Sequence, residues 1–262
     1  MSNDDINVDT FAQEIAPQVW LGSFAALREQ SFLEQHGIKV IINCTPTYCF
    51  LNELNRSNIN ISTDMIMLLL DLSFDTNKFS PDELWLLDGY IERFGRILQN
   101  YLHFFYHENP MAPNLIHSFP QGKSFSLSSP VLTGNLKMQL FNINRLLKLL
   151  RNVNDTIGVI VVSADGDAPL SSAVAISYLM DSYNINLASS ICNLMACRPL
   201  IKEFNPQFYE ELYIIENLKM FYHENLTIKQ LSHALLTSNR KLKRKNDPIA
   251  VDGGASKRPN FD

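Results

Sequence analysis

Apolar positions along the chain follow two rhythms, and each predicts a kind of element. Ile15–Leu21 reads as a short strand region ending at Gly22. Ser23–His36 reads as a helix: Ser23 can cap it, Phe24, Leu27 and Phe32 keep helical spacing, and Gly37 stops it. Ile38–Asn43 and Met65–Leu70 are nearly continuous apolar runs, as strands covered on both faces require. Between them, Cys44–Asn60 carries Pro, Asn and Ser and reads as a loop region with one short helix.

Ser80-Pro81-Asp82-Glu83 opens a long helix, with a cap, a proline in the first turn and two acids at the positive end of the dipole. Leu84, Leu87, Ile91, Phe94, Leu98, Tyr101 and Phe105 then repeat three and four apart, one apolar stripe suited to packing on a sheet. From Asn109 to Gly134 the pattern breaks, with Pro110, Pro113, Pro120, Pro130 and many serines, so residues 109–134 read as an insertion or loop. Asn135–Leu150 is helical again. Gly158–Val162 is the strongest buried-strand signal, Ser163–Leu170 a tight polar turn, and Ser171–Met180 a small-residue helix that can approach a sheet closely. Leu187–Cys197, Asn205–Met220 and Thr227–Ser238 complete the helices. Strands separated by helices predict an α/β fold, a central and mostly parallel sheet of about five strands covered on both faces.

Composition narrows the functional classes. With 262 residues, 46% hydrophobic and 19% charged, the chain can bury a sizeable core. A formal net charge of −5 excludes a generally basic nucleic-acid binder. Met1–Thr10 is polar and acidic, unlike a signal peptide, and the apolar runs are too short to span a membrane. Cys44/Cys49 and Cys192/Cys197 are each spaced C-x4-C with no histidine beside them, which fits free thiols rather than a zinc site or a disulfide scaffold. His103 and His107, four apart on the long helix, read as solvated or packed side chains. No cofactor or metal is expected in this intracellular globular protein. Residues 1–14 read as a flexible lead-in, 15–238 as one domain and 239–262 as a disordered basic tail.

Chemistry is expected where a buried strand meets a helix N-terminus, at Val159–Ser172. This run resembles the signature strand, loop and helix of the dual-specificity branch of the protein tyrosine phosphatases, whose loop reads H-C-x5-R-S/T. Val19-Trp-Leu-Gly-Ser23, Gly37–Cys44, Ala175-Ile-Ser-Tyr-Leu-Met180, Cys197-Arg-Pro199 and Asn205-Pro-Gln-Phe208 resemble further family landmarks in the same order. The resemblance implies a three-layer, protein tyrosine phosphatase-like fold. In that family a cysteine thiolate attacks phosphorus, loop amides and an arginine hold the phosphate, and an aspartate protonates the leaving oxygen.

Mapped onto this chain, Ser163 stands at the histidine and Ala164 at the nucleophile. Asp165, Gly166, Asp167, Ala168 and Pro169 fill the loop, Leu170 stands at the arginine, and Ser171 matches the hydroxyl residue after it. Asp71 matches the general acid, with Asp75 second. The nucleophile position has no heteroatom, Leu170 cannot replace a guanidinium, and Pro169 removes an amide. Asp165 and Asp167 each oppose a phosphate at ~5 Å by roughly 1–3 kcal/mol. From Asn152 to Ala196 there is no Lys, Arg or His, so no register shift restores a clamp. The expectation is a pseudophosphatase that binds one or more proteins, as a scaffold or as a competitor of active phosphatases.

Other readings keep their places. A phosphopeptide-binding module is one alternative. Asp165-Gly166-Asp167 also resembles the first motif of haloacid dehalogenase-like phosphatases, in which paired aspartates would work with Mg²⁺. The plain reading of both aspartates is helix capping, and that of Asp71 a turn residue. Lys241, Lys243, Arg244 and Lys245 fit a nuclear import peptide, so nucleus and cytoplasm are the expected locations. No nucleic-acid or membrane partner is expected.

Overall fold

The computed structural model describes residues 11–107, 129–198 and 206–218. Contacts divide the chain into a unit running to Asn217 and a second beginning at Leu218, and the fold described below is that of the first. The Thr227–Ser238 helix, the basic tail and most of the 109–134 segment lie outside the described residues.

Strands β1 (Ala12–Ala16), β2 (Val19–Ser23), β3 (Ile38–Asn43), β4 (Ile66–Leu70), β5 (Val131–Leu132) and β6 (Gly158–Ser163) form a single sheet in the order β1-β2-β6-β3-β4-β5. Only β1 runs antiparallel, to β2; the other four pairings are parallel. The expected strand region at Ile15–Leu21 is therefore a hairpin. Its turn sets Gln18 at φ 60, where the Gln18 amide donates to Glu14 Oε1 at 2.7 Å. β1 also takes in Ala12–Glu14, ahead of the expected domain start at Ile15.

Helices cover both faces. One core joins Leu21, Val40, Ile42, Leu68, Val159 and Val161 to the helices from residue 136 onward. The other joins Ile38, Ile41, Met67, Leu69, Ile160 and Val162 to the helices before β4. β6 lies between β2 and β3 with all six residues buried, which is why its sequence is apolar on both faces; each such aliphatic side chain contributes about 1.5–3 kcal/mol. Ile38 and Val40 face different cores because the register shifts between them.

Several expected elements take a different form. Ser23–His36 is two short helices, α1 (Phe24–Arg28) and α2 (Gln30–Gln35), and the Ser23 side chain makes no cap. Gly37 does end α2, at φ 54. The helix inside Cys44–Asn60 is α3 (Thr47–Arg56). α4 (Pro81–His107) begins with a reciprocal cap: the Ser80 amide donates to Glu83 Oε2 at 2.7 Å and the Glu83 amide to Ser80 Oγ at 3.3 Å. Its stripe does not serve one sheet face. Leu87 packs in the second core, Phe94 and Leu98 in the first, and Ile91 between them is 39% exposed.

The end of the expected insertion is a strand. Val131 and Leu132 pair with Leu69 and Leu70, and the Asp71 amide donates to the Leu132 carbonyl at 3.1 Å. Helices α5 (Leu136–Val153), α6 (Pro169–Tyr183) and α7 (Leu187–Cys197) follow, and residues 209–218 are helical. Among the described residues no helix is long and apolar enough to cross a membrane.

Candidate functional site

Four parallel strands, β2, β6, β3 and β4, end on the same side of the sheet, so the loops after them share one edge of the domain. The loop between β6 and α6 lies in the middle of that edge. Its geometry is decided by a buried hydroxyl. Ser163 is fully buried, and its Oγ accepts the amides of Gly166 at 3.1 Å and Ala168 at 3.3 Å. Ser171 Oγ lies 3.3 Å from the same oxygen and donates to the Ala168 carbonyl at 2.8 Å. A hydroxyl has one proton and two lone pairs. With both lone pairs taken by amides, the Ser163 proton points to Ser171 Oγ. The Asp167 amide turns to Asp165 Oδ1 at 3.4 Å. The amides of three successive residues, Gly166 to Ala168, thus end on side chains of the loop itself.

The remaining positions are placed as follows. Ala164 presents an exposed methyl group, and Asp165 and Asp167 are exposed beside it. Leu170 is half-buried and packs on the first core. Pro169 opens α6, where a missing amide costs little, and the preceding cap residue, Ala168, makes no side-chain cap. No side-chain cap hydrogen bond is made at the N-terminus of α6.

Sequence reasoning missed the cation of this site, and the structure corrects it. No base lies between Asn152 and Ala196, yet Arg198, at the C-cap of α7, is 1% exposed with its guanidinium against the loop. Its Nη1 donates to the Leu21 carbonyl at 2.8 Å, and its Nε has no partner. Gly166 lets it in: a Cβ there would collide with Nη2 and approach the backbone of Ser23 and Gly22 at 2.9 and 3.0 Å, and the φ of 87 is costly for other residues. Burial pulls the Arg198 guanidinium below its ordinary range, while Asp167 and Asp165 hold it up. Asp167 is pushed above the usual carboxylate range by burial and by the charge of Asp165, with Arg198 opposing. The one available signal was the Cys197-Arg-Pro landmark.

Asp71 ends β4 at 3% exposure and accepts three hydrogen bonds, from the Thr47 amide at 2.7 Å, the Ser73 amide at 3.0 Å and Ser73 Oγ at 3.2 Å. It ties β4 to the first turn of α3. Asp75 accepts from the amide and side chain of Asn77 at 3.0 and 2.9 Å, capping a short turn of 3₁₀ helix. All four cysteines are free, and among the described residues no three His, Cys, Asp or Glu side chains gather as metal ligands. The side chains of His103 and His107 lie outside the described residues, as does the run Lys241–Lys245.

A family model described as the YAL037W N-terminal domain matches residues 11–166. No curated protein matches the chain. Solved structures similar to it include human DUSP28, at 15% identity and TM-score 0.42 over 79% of this chain and 93% of that one. Another is the human tyrosine phosphatase-like serine/threonine/tyrosine-interacting protein, at 15% identity and TM-score 0.43 over 80% and 99%. A third is a mouse putative dual specificity phosphatase complexed with zinc tungstate, at 15% and 0.43 over 83% and 93%.

Proposed function

We propose, for a chain that belongs to the YAL037W N-terminal domain family, a protein of dual-specificity-phosphatase-like architecture that carries out no phosphoryl transfer and works by binding other proteins. One observation carries this reading. Mapped by the family resemblance, Ala164 brings only a methyl group to the nucleophile position, and the amides of the loop between β6 and α6 close on Ser163 and Asp165.

A phosphate seated there would have to displace those hydrogen bonds and approach two exposed carboxylates. Each lost bond costs about 0.5–1.5 kcal/mol net, more where a buried donor is left bare. Arg198 supplies a positive charge, but from beneath the loop, with Nη1 committed to Leu21. Such a loop can present a surface but cannot stabilise a transferring phosphoryl group. The protein then acts on a phosphatase target by holding it, either in competition with an active phosphatase or as part of a complex.

The test is turnover of an aryl phosphate and of a phosphotyrosine peptide by the purified full chain across the neutral and mildly acidic range, with and without Mg²⁺. The expected result is a rate equal to buffer. Turnover abolished by Asp71→Ala, or Mg²⁺-dependent turnover lost on Asp165→Asn, overturns the reading.

A further inference from the structure

Helix α4 turns one large side chain away from the domain. Trp85 is 79% exposed, more than any other large hydrophobic side chain among the described residues. Among them its ring meets no other ring and no cation. The chain's other tryptophan, Trp20, does pack, on Phe32 and His36. An indole left in water forgoes the burial that makes the side chain useful to a core.

The helix beside Trp85 is also kept bare. A side chain at position 89 would lean back over the turn that holds Trp85, but that position is Gly89. A Cβ there would meet nothing within 4 Å, and the backbone there has no positive φ that would call for a glycine. A glycine inside a helix weakens it, so the fold gains nothing from this one. An uncovered indole and a missing side chain one turn on both cost stability, and together they leave room for something from outside.

Charge states what that is. Asp82, Asp88 and Glu92 lie three before, three after and seven after Trp85, on the same helical face, and all are exposed. Neither ion pair among the described residues, Arg28–Glu53 or Lys39–Asp64, includes them. Arg96, a turn beyond Glu92, adds one positive charge at the far end, so the stripe stays net negative. An indole face attracts cations, and carboxylates on both sides of it draw the same charge.

We infer that the Trp85 face of α4 is a docking surface for a partner segment that lays a Lys or Arg side chain across the indole. The partner's backbone comes close at Gly89, and its further basic side chains meet Asp82, Asp88 and Glu92. The inference goes beyond the reading above, since no residue of the β6–α6 loop takes part.

The probe is a labelled helical peptide of about 20 residues, alanine and glutamine with an Arg on successive turns, with twins that carry Glu or Leu in place of Arg. Each is titrated against the full chain by fluorescence anisotropy and by tryptophan emission. The Arg peptide is expected to bind at least tenfold tighter than either twin and to shift the emission to shorter wavelength. It should weaken as salt rises from about 50 to about 300 mM, as a screened charge contact must. Trp85→Ala should lose at least tenfold in affinity together with the emission change, and D88N/E92Q several-fold with a shallower salt dependence. Gly89→Ala separates binding from structure, because it should raise the Tm yet weaken the peptide several-fold. Trp85, Asp88 and Glu92 are exposed, so their variants keep the fold, which melting curves verify. No binding of the Arg peptide, equal affinity in any of the three variants, or a Glu or Leu twin that binds as tightly overturns the inference. So does a dimer of the full chain in sedimentation that Trp85→Ala abolishes, because a second copy is then the occupant. Aryl phosphate turnover by the same preparation sinks the reading of the β6–α6 loop and leaves this surface standing; failed peptide binding sinks this surface alone.

Discussion

Arg198 Nη1 donates to the carbonyl of Leu21 at 2.8 Å, joining the C-cap of α7 to strand β2 across most of the domain's sequence. The bond closes the edge of the sheet on which the candidate site is built. Arg198→Ala removes the side-chain donor to that carbonyl and the counter-charge of Asp165 and Asp167, and opens a gap beneath Gly166. A loss of about 2–4 kcal/mol is expected, measured by denaturant unfolding. Arg198→Lys should recover little, because an ammonium cannot reproduce the planar fork.

Gly166→Ala is expected to cost about as much, from a positive φ and from collision with that same guanidinium. In the double variant Gly166→Ala/Arg198→Ala the losses should be less than additive, since removing the guanidinium clears the space the methyl needs. A thermal unfolding series reads this directly.

Ser163→Ala leaves the buried amide of Gly166 and the part-buried amide of Ala168 without their acceptor. A loss of about 1–3 kcal/mol is expected, with faster amide hydrogen exchange confined to the β6–α6 loop and no gain of phosphatase activity.

Two aspartates should respond to pH with opposite sign. Asp167 is raised by burial and by Asp165. A carboxyl raised in the fold keeps its proton there more readily than when unfolded, so its contribution favours the fold in acid and turns against it as pH rises through the folded value. Asp64 is lowered, first by hydrogen bonding with Lys39 and then with Ser62; its contribution is present at neutrality and is lost as pH falls through that lowered value. Asp167→Asn should therefore raise the neutral Tm and Asp64→Asn lower it, both differences shrinking in acid. Melting curves across pH check the pair.

Thiol reactivity should divide by burial. Cys44, behind the end of β3, is buried and its thiol is pushed far up by that burial, whereas Cys192 is exposed. An aromatic disulfide reagent should label Cys192 first and reach Cys44 only on unfolding. Peptide mapping of the labelled protein identifies the order.

Much of the architecture was legible because burial on two faces imposes composition. β6 and β3 are apolar runs because each lies between neighbours under two layers of helix, and the start of α4 is written in Ser80 and Glu83. Gly37 marks a stop because the chain there needs a positive φ. The β1–β2 hairpin was not legible, since Gln18 carries no turn signature. Nor was β5, two residues whose pairing with β4 depends on a parallel edge and not on their own pattern.

For the candidate site, the sequence by itself determined the side chains of the loop: Ala164 carries no heteroatom and Leu170 no charge, facts that no folding can alter. Only the tertiary structure decided where the loop amides point and which cation meets Asp165 and Asp167. Both depend on groups brought together by the sheet, Ser163 with Ser171 across a turn and Arg198 with Leu21 from opposite ends of the domain. Such contacts are set by packing in space, which spacing along the chain does not encode.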